Sequence, residues 1–313
     1  MNTSYCAGID VSKPYLDVHL LPSNQAHRFP NSSAGHRELV KLLQKHQVCL
    51  VVLEATGGYE RAAVVALVNA GLRVHVAQPQ IVRAFALSLK LRAKNDKIDA
   101  SICARYAQDR GQELRVIQKI DPTLESLQAL VVRRDQLVEM QTMEQNRLQQ
   151  ASDKEELKSI KRLLRSIQKE VARIETAIDA KIQADQNLCA KAEKLRETKG
   201  VGPQTTRVIL ACLPELGKVD PKRLNALVGV APYAADSGDR KATRRIAGGR
   251  KLVRSGLYMA CMSAAFTNPV ISGYYKNLRT RGLAHKTAMM ACIRKLLAYL
   301  DKQIRDLEQP KTA

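Results

Sequence analysis

The sequence predicts an α/β domain followed by a long helical remainder. Three observations carry this. Strand-like runs crowd the chain before residue 78. Between Pro122 and Arg196 there is neither Gly nor a second Pro. Beyond that stretch the apolar residues keep helical spacing.

The strands come first. Ser4–Val11 is apolar up to one carboxylate, Asp10, and Ser12-Lys13-Pro14 turns the chain into a second strand over 15–21. A third, weaker run covers 26–30. Ser33 reads as the N-cap of a helix reaching Lys45, with Leu39, Leu42 and Leu43 on one face. Cys49–Glu54 is continuously apolar, as expected for a strand covered on both sides, and it too ends in a carboxylate. Thr56-Gly57-Gly58 breaks the chain before a helix over 59–70 and a strand over 72–77. Three antiparallel strands followed by alternating helix and strand give the order of an RNase H-like fold.

After Pro79 the chain is helical and basic, with Arg83, Lys90, Arg92 and Lys94. Asp96 and Asp99 follow at i and i+3, so they share a helix face. Four carboxylates can then converge: Asp10 and Glu54 from strands, Asp96 and Asp99 from a helix. Hard divalent cations take such oxygen ligands, and paired metals about 4 Å apart stabilise both the entering and leaving oxygens at phosphorus. Taken singly, Asp96 reads equally as an N-cap and Asp99 as a solvated helix residue. Asp17 alternates with apolar neighbours and is expected to face solvent. Glu60 suits the dipole at the start of its helix.

The arm over 121–190 carries a heptad. Leu157, Leu164, Val171 and Ile178 share one position, and Ile160, Ile167 and Ile174 share the other. Ser152-Asp153-Lys154-Glu155 fits a capping box between two helices. The pair reads either as a hairpin within one chain or as an oligomerisation arm. The segment 191–313 then forms a mostly helical domain. In it, Thr198-Lys199-Gly200-Val201-Gly202-Pro203 has the Gly-x-Gly spacing of a helix-hairpin-helix DNA binder. Asp236-Ser237-Gly238 precedes a basic run: Arg240, Lys241, Arg244, Arg245, Arg250, Lys251 and Arg254. A serine beside glycine, followed by cations that hold phosphates, suits attack on a phosphodiester. Read alone, the tripeptide is a turn.

Composition agrees. Lys and Arg total 51 against 30 Asp and Glu, leaving +21, which favours a polyanionic partner. No apolar run is long enough for a spanning helix to be expected, and the first residues lack the basic and apolar regions expected of a signal peptide. The seven scattered cysteines form no C-x-x-C pair, as in a reducing cytoplasm, with no zinc site or disulfide framework expected. Trp is absent and Phe rare, so base stacking is not expected to dominate recognition.

Gly8-Ile9-Asp10-Val11-Ser12-Lys13, Glu54-Ala55-Thr56-Gly57-Gly58-Tyr59, Lys94–Ala100 and Leu227–Pro232 through Gly248-Gly249-Arg250 occur in order. Together they resemble the DEDD transposases of prokaryotic insertion sequences, relatives of the Piv-type DNA invertases. The resemblance spans nearly the whole chain. It implies a RuvC-like domain (1–120), a coiled-coil arm (121–190) and a transposase domain (191–313). It implies that Asp10, Glu54, Asp96 and Asp99 bind Mg²⁺, two ions per site, and that Ser237 is the nucleophile. It further implies donor and target DNA as substrates, a structured bridge RNA as guide, and a tetramer built as a dimer of dimers. Each active site would combine the RuvC-like domain of one protomer with the transposase domain of another. The reaction would pass through a phosphoserine and a Holliday junction, in a cytoplasmic, nucleoid-associated setting. Delegating sequence choice to base pairing fits a basic protein with few base readers. Two other readings remain open: a RuvC-like nuclease acting by water attack, and a non-catalytic nucleic-acid scaffold.

Overall fold

The apolar run of the first strand, β1 (Cys6–Val11), is buried on both faces, and the other strands assemble on its two edges. On one edge β2 (Tyr15–Leu21) pairs antiparallel with β1, and β3 (Gln25–Pro30) antiparallel with β2. After helix α1 (Ser33–Lys45), β4 (Leu50–Glu54) returns on the other edge, parallel to β1. Helix α2 (Arg61–Asn69) then leads to β5 (Val74–Ala77), parallel to β4. The order β3-β2-β1-β4-β5 is that of the expected RNase H-like sheet. The cap of α1 lies one residue earlier than expected: the Ser32 hydroxyl accepts from the Gly35 amide at 3.4 Å. The computed structural model describes residues 5–91, 96–117, 120–234 and 244–308, without the side chains of Asp96 and Lys97.

Each face of the sheet has its own core. Ile9, Leu16, Val18 and Leu53 pack with Leu39, Leu43 and Leu67 of α1 and α2. The side chains between them, Cys6, Leu50 and Val52, meet α3 (Pro79–Ser88) and α4 (Asp96–Arg110) through Val82, Ala86, Ile102 and Cys103. Burial of each large aliphatic side chain stabilises the fold by about 2 kcal/mol.

The chain divides into two units, Met1–Asp121 and Pro122–Ala313. The second begins with α5 (Pro122–Gln150) and α6 (Lys154–Ala184), folded together as a hairpin. Within it the heptad residues Ile160, Leu164, Ile167, Ile174 and Ile178 are buried. The turn is capped by Asp153, not Ser152; its carboxylate accepts from the Glu155 and Glu156 amides. The remaining helices are α7 (Gln186–Arg196), α8 (Pro203–Cys212) and α9 (Pro221–Val228), then α10 (Lys251–Thr267), α11 (Pro269–Thr280) and α12 (His285–Glu308). A short ribbon, β6 (Pro232–Tyr233) with β7 (Arg245–Ile246), stands between α9 and α10. The expected arm and helical domain share one continuous core, in which Ile174, Ile178 and Ile182 join Leu195, Ile209 and Leu257. Buried Arg207 on α8 ties the two parts with a double hydrogen bond to Asp179 (2.9 and 2.5 Å) and an ion pair to Glu175 at 3.2 Å. All seven cysteines are free thiols, and no helix among the described residues is long and apolar enough to cross a membrane.

Candidate active site

Strand register brings the first two carboxylates together. In the parallel pair, Ile9 lies beside Leu53, so the next residues, Asp10 and Glu54, sit side by side at the C-terminal ends of the two strands, on the α4 face. Across the antiparallel edge Asp10 faces Asp17, and Asp17 faces Arg28. A row of ionisable residues therefore crosses four strands.

Asp17 corrects the expectation of a solvent-facing side chain. It is 7% exposed and accepts two hydrogen bonds from Arg28, each 2.9 Å. Arg28 also lies over the Tyr15 ring, 5.1 Å from its centroid. The bidentate Arg28 guanidinium neutralises Asp17, so Asp10 does not face an uncompensated negative neighbour there.

The third carboxylate depends on a glycine. A Cβ on Gly8 would lie 2.1 Å from both the Ala100 carbonyl oxygen and the Ala104 amide nitrogen of α4. Only a bare backbone lets the helix settle on the strand this closely. That contact holds the first turn of α4, with half-buried Asp99, over the strand ends. Cys103, one turn further along, records the convergence. Burial pushes its thiol up, and the carboxylates of Glu54, Asp10 and Asp99 raise it further. All three acids are thus within electrostatic reach of one buried sulfur. The fourth expected ligand, Asp96, starts the same helix, but its side chain lies outside the described residues. Among the described residues, no three ligating side chains already close on a single metal position. The donors that do converge are all carboxylates, which suits a hard divalent cation rather than zinc.

Two features of the site escaped the sequence. Beside the acids lies a groove of about 340 Å³ lined by Glu54, Gln80, Arg83 and Asp99. The turn after Glu54 is fastened by Glu60, whose carboxylate accepts from the Thr56 amide (3.1 Å), the Thr56 hydroxyl (2.9 Å) and the Gly58 amide (2.9 Å). Burial pushes Glu60 up, but the hydrogen bonds from its own amide, Gly58 and Thr56 outweigh this and hold it below the usual carboxylate range.

In the second unit, Ser237, Arg240 and Lys241 lie outside the described residues. Their flanks are paired, Tyr233 with Arg245 and Pro232 with Ile246. Arg244, Arg245 and Lys251 are exposed. Arg250 and Arg254 are engaged internally. Arg250 donates to the Cys212 carbonyl (2.9 Å) and twice to the Glu215 carboxylate (2.6 and 2.8 Å). Arg254 donates to the Gly248 carbonyl at 2.7 Å. Arg254 spans a crossing of two backbones, where a Cβ on Gly249 would lie 2.2 Å from the Gly229 amide. The hairpin glycines also divide their work. Gly200 has φ +100° and tucks under α10, with its Cβ position 2.6 Å from that of Ala264. Gly202 caps α8 and meets nothing. Lys199 beside them is exposed.

Comparison with known proteins gives two family matches along the chain. A DEDD transposase model of the IS110 type matches residues 7–154, which include every candidate acid. The model of the IS116/IS110/IS902 transposase family matches residues 192–276, which include Ser237 and its basic flank. The chain belongs to the IS110 transposase family. It is thus a DNA recombinase or transposase by descent. The chain is also similar to the pilin gene-inverting proteins of Moraxella bovis and Moraxella lacunata. Each is 26% identical over 300 residues, covering 93% of this chain and 92% of the relative. A solved structure, Thermus thermophilus RuvC in complex with a Holliday junction substrate, aligns with 36% of this chain and 99% of its own. Its identity is 16% and its TM-score 0.29, too low to carry the assignment, which rests on strand order and on the family.

Proposed function

We propose that this IS110-family enzyme is an RNA-guided serine recombinase with a Mg²⁺-dependent DEDD site. The observation that carries the reading is the convergence of Asp10, Glu54 and Asp99 from β1, β4 and α4 around Cys103. With Asp96 they would hold two Mg²⁺ ions. Such ions supply charge neutralisation at the phosphate and favour loss of a hydroxyl proton.

The chain's own residues do the rest. The Ser237 oxygen loses its proton as it bonds to phosphorus. The bond from phosphorus to the leaving sugar oxygen breaks, and that oxygen takes up a proton. Rejoining to another strand's hydroxyl reverses these events, so no external energy source is required. Exposed Lys199, Arg244, Arg245 and Lys251, with Arg240 and Lys241, would hold phosphates of donor DNA, target DNA and guide RNA. The α8 N-terminus at Gly202 would add free amides. Arg250 and Arg254 would position that surface from beneath. The working assembly would be a tetramer whose sites pair the carboxylates of one protomer with Ser237 of another, in the cytoplasm and on the nucleoid.

The test uses a nicked suicide duplex of the element's own end sequence with copurified RNA retained. The wild-type chain is expected to form a covalent protein–DNA adduct that Ser237→Ala abolishes. An adduct that persists in Ser237→Ala removes the serine assignment. Cleavage with no adduct in the wild type would point instead to a nuclease using water.

A further inference from the structure

The groove beside the acids has one basic wall, and its geometry assigns a role no motif supplies. Among the described lining residues, Arg83 is the only cation and faces a space shared with Glu54 and Asp99. Its helix is rigidly seated. Val82 is 4% exposed and Ala86 1%, both in the core against Ile102 and Cys103. Phe85 meets Tyr106 of α4 edge to face, with centroids 5.2 Å apart. With its neighbours locked inward, Arg83 is directed over the groove. The helix begins only two residues after Ala77, the register partner of Glu54. A guanidinium and a helix N-terminus therefore stand on the side of the acids opposite Asp17 and Arg28.

A guanidinium in an acidic groove can act on each of two visitors. Toward a divalent cation it is a like charge and weakens binding. Toward a phosphodiester it is a fork of donors matched to the non-bridging oxygens. We propose that Arg83 is a substrate-contact residue that holds the scissile phosphate over the carboxylates and, when DNA is absent, opposes divalent-cation binding there. This rests on the reading of Asp10, Glu54 and Asp99 as the cation site.

The two effects have opposite signs, which a merely structural role would not produce. The experiment uses the full chain and four forms: wild type, Arg83→Gln, Arg83→Lys and Glu54→Gln. Mn²⁺ affinity without DNA is measured by calorimetry, and adduct formation is followed on the suicide duplex at saturating Mn²⁺. Arg83→Gln is expected to bind Mn²⁺ roughly threefold to tenfold more tightly, as expected for removing one partly screened charge. The same variant should form adduct on the order of 100-fold more slowly, as when one positioned donor to a reacting oxygen is lost. Arg83→Lys should restore wild-type Mn²⁺ affinity and part of the rate. If Arg83→Gln weakens both Mn²⁺ binding and cleavage, or leaves either unchanged, the proposal is overturned. Glu54→Gln separates the two failures. Unchanged Mn²⁺ affinity there removes the cation-site reading itself, and the role of Arg83 falls with it.

Discussion

Single residues set the geometry of the acid cluster. Gly8 fixes how closely α4 lies on β1 and hence how near Asp99 comes to Asp10. Gly8→Ala should push the helix off the strand, destabilising the fold by about 2–3 kcal/mol as overpacking does. Denaturant unfolding would measure this, and cleavage should fall even where the variant remains folded. Glu60 does similar work for the turn after Glu54. Its pKa is held down in the folded state, so its stabilising contribution is present above the ordinary carboxylate range. That contribution is lost as pH falls through the folded value. Melting curves of wild type and Glu60→Gln should therefore differ at pH 7, by about 1 kcal/mol for hydrogen bonds to a part-exposed charge. The difference should shrink on acidification. Asp10 and Glu54 were legible because each ends an apolar strand. The pairing of Asp17 was not: its alternation with apolar neighbours mimics a solvent face, and Arg28, its partner, is named only by the register of β2 and β3.

At the scale of elements, periodicity carried most of the information. The heptad in α6 identified the buried stripe because an intramolecular hairpin and an intermolecular coiled coil use the same spacing. That degeneracy also explains why the sequence left both open. Basic residues carry no such pattern. Arg250 and Arg254 look like phosphate contacts in a run of cations, yet their acceptors are Glu215 and backbone carbonyls 6 to 38 residues away. Gly200 likewise fits a phosphate-binding hairpin in sequence, while its missing side chain makes room for Ala264. The join between arm and helical body depends on Arg207. Arg207→Ala would take the guanidinium from Asp179 and leave Glu175 with Arg134 alone; both acids are part-exposed, so the change should cost about 1–2 kcal/mol of stability in denaturant unfolding. Arg207→Met, which fills the space without the charge, should cost less only if both acids can reach solvent.

For the whole molecule, the net charge of +21 and the two matched family regions fit one enzyme whose proposed chemical tasks are divided along the chain. The acids belong to the first unit and the proposed nucleophile to the second. If sites are shared between protomers, mixing Asp10→Ala and Ser237→Ala chains should restore adduct formation toward one quarter of wild type. A mixture as inactive as its components, in assemblies shown to contain both, would mean that each site is built within one chain. Phosphate contacts also predict that DNA affinity falls steeply with salt, with a log–log slope that lessens by about one for each exposed cation removed. Fold and acid cluster were readable because they are written in continuous runs. The proposed guide and the proposed assembly would involve partners that no local pattern encodes.

The central claim is that acids from β1, β4 and α4 form one cleavage centre. It is tested most directly by adduct formation in Asp10→Asn, Glu54→Gln and Asp99→Asn, with DNA binding measured in parallel. The account predicts that each variant binds DNA as the wild type does and loses cleavage by about 1,000-fold or more. Near wild-type cleavage by any one of the three would contradict it.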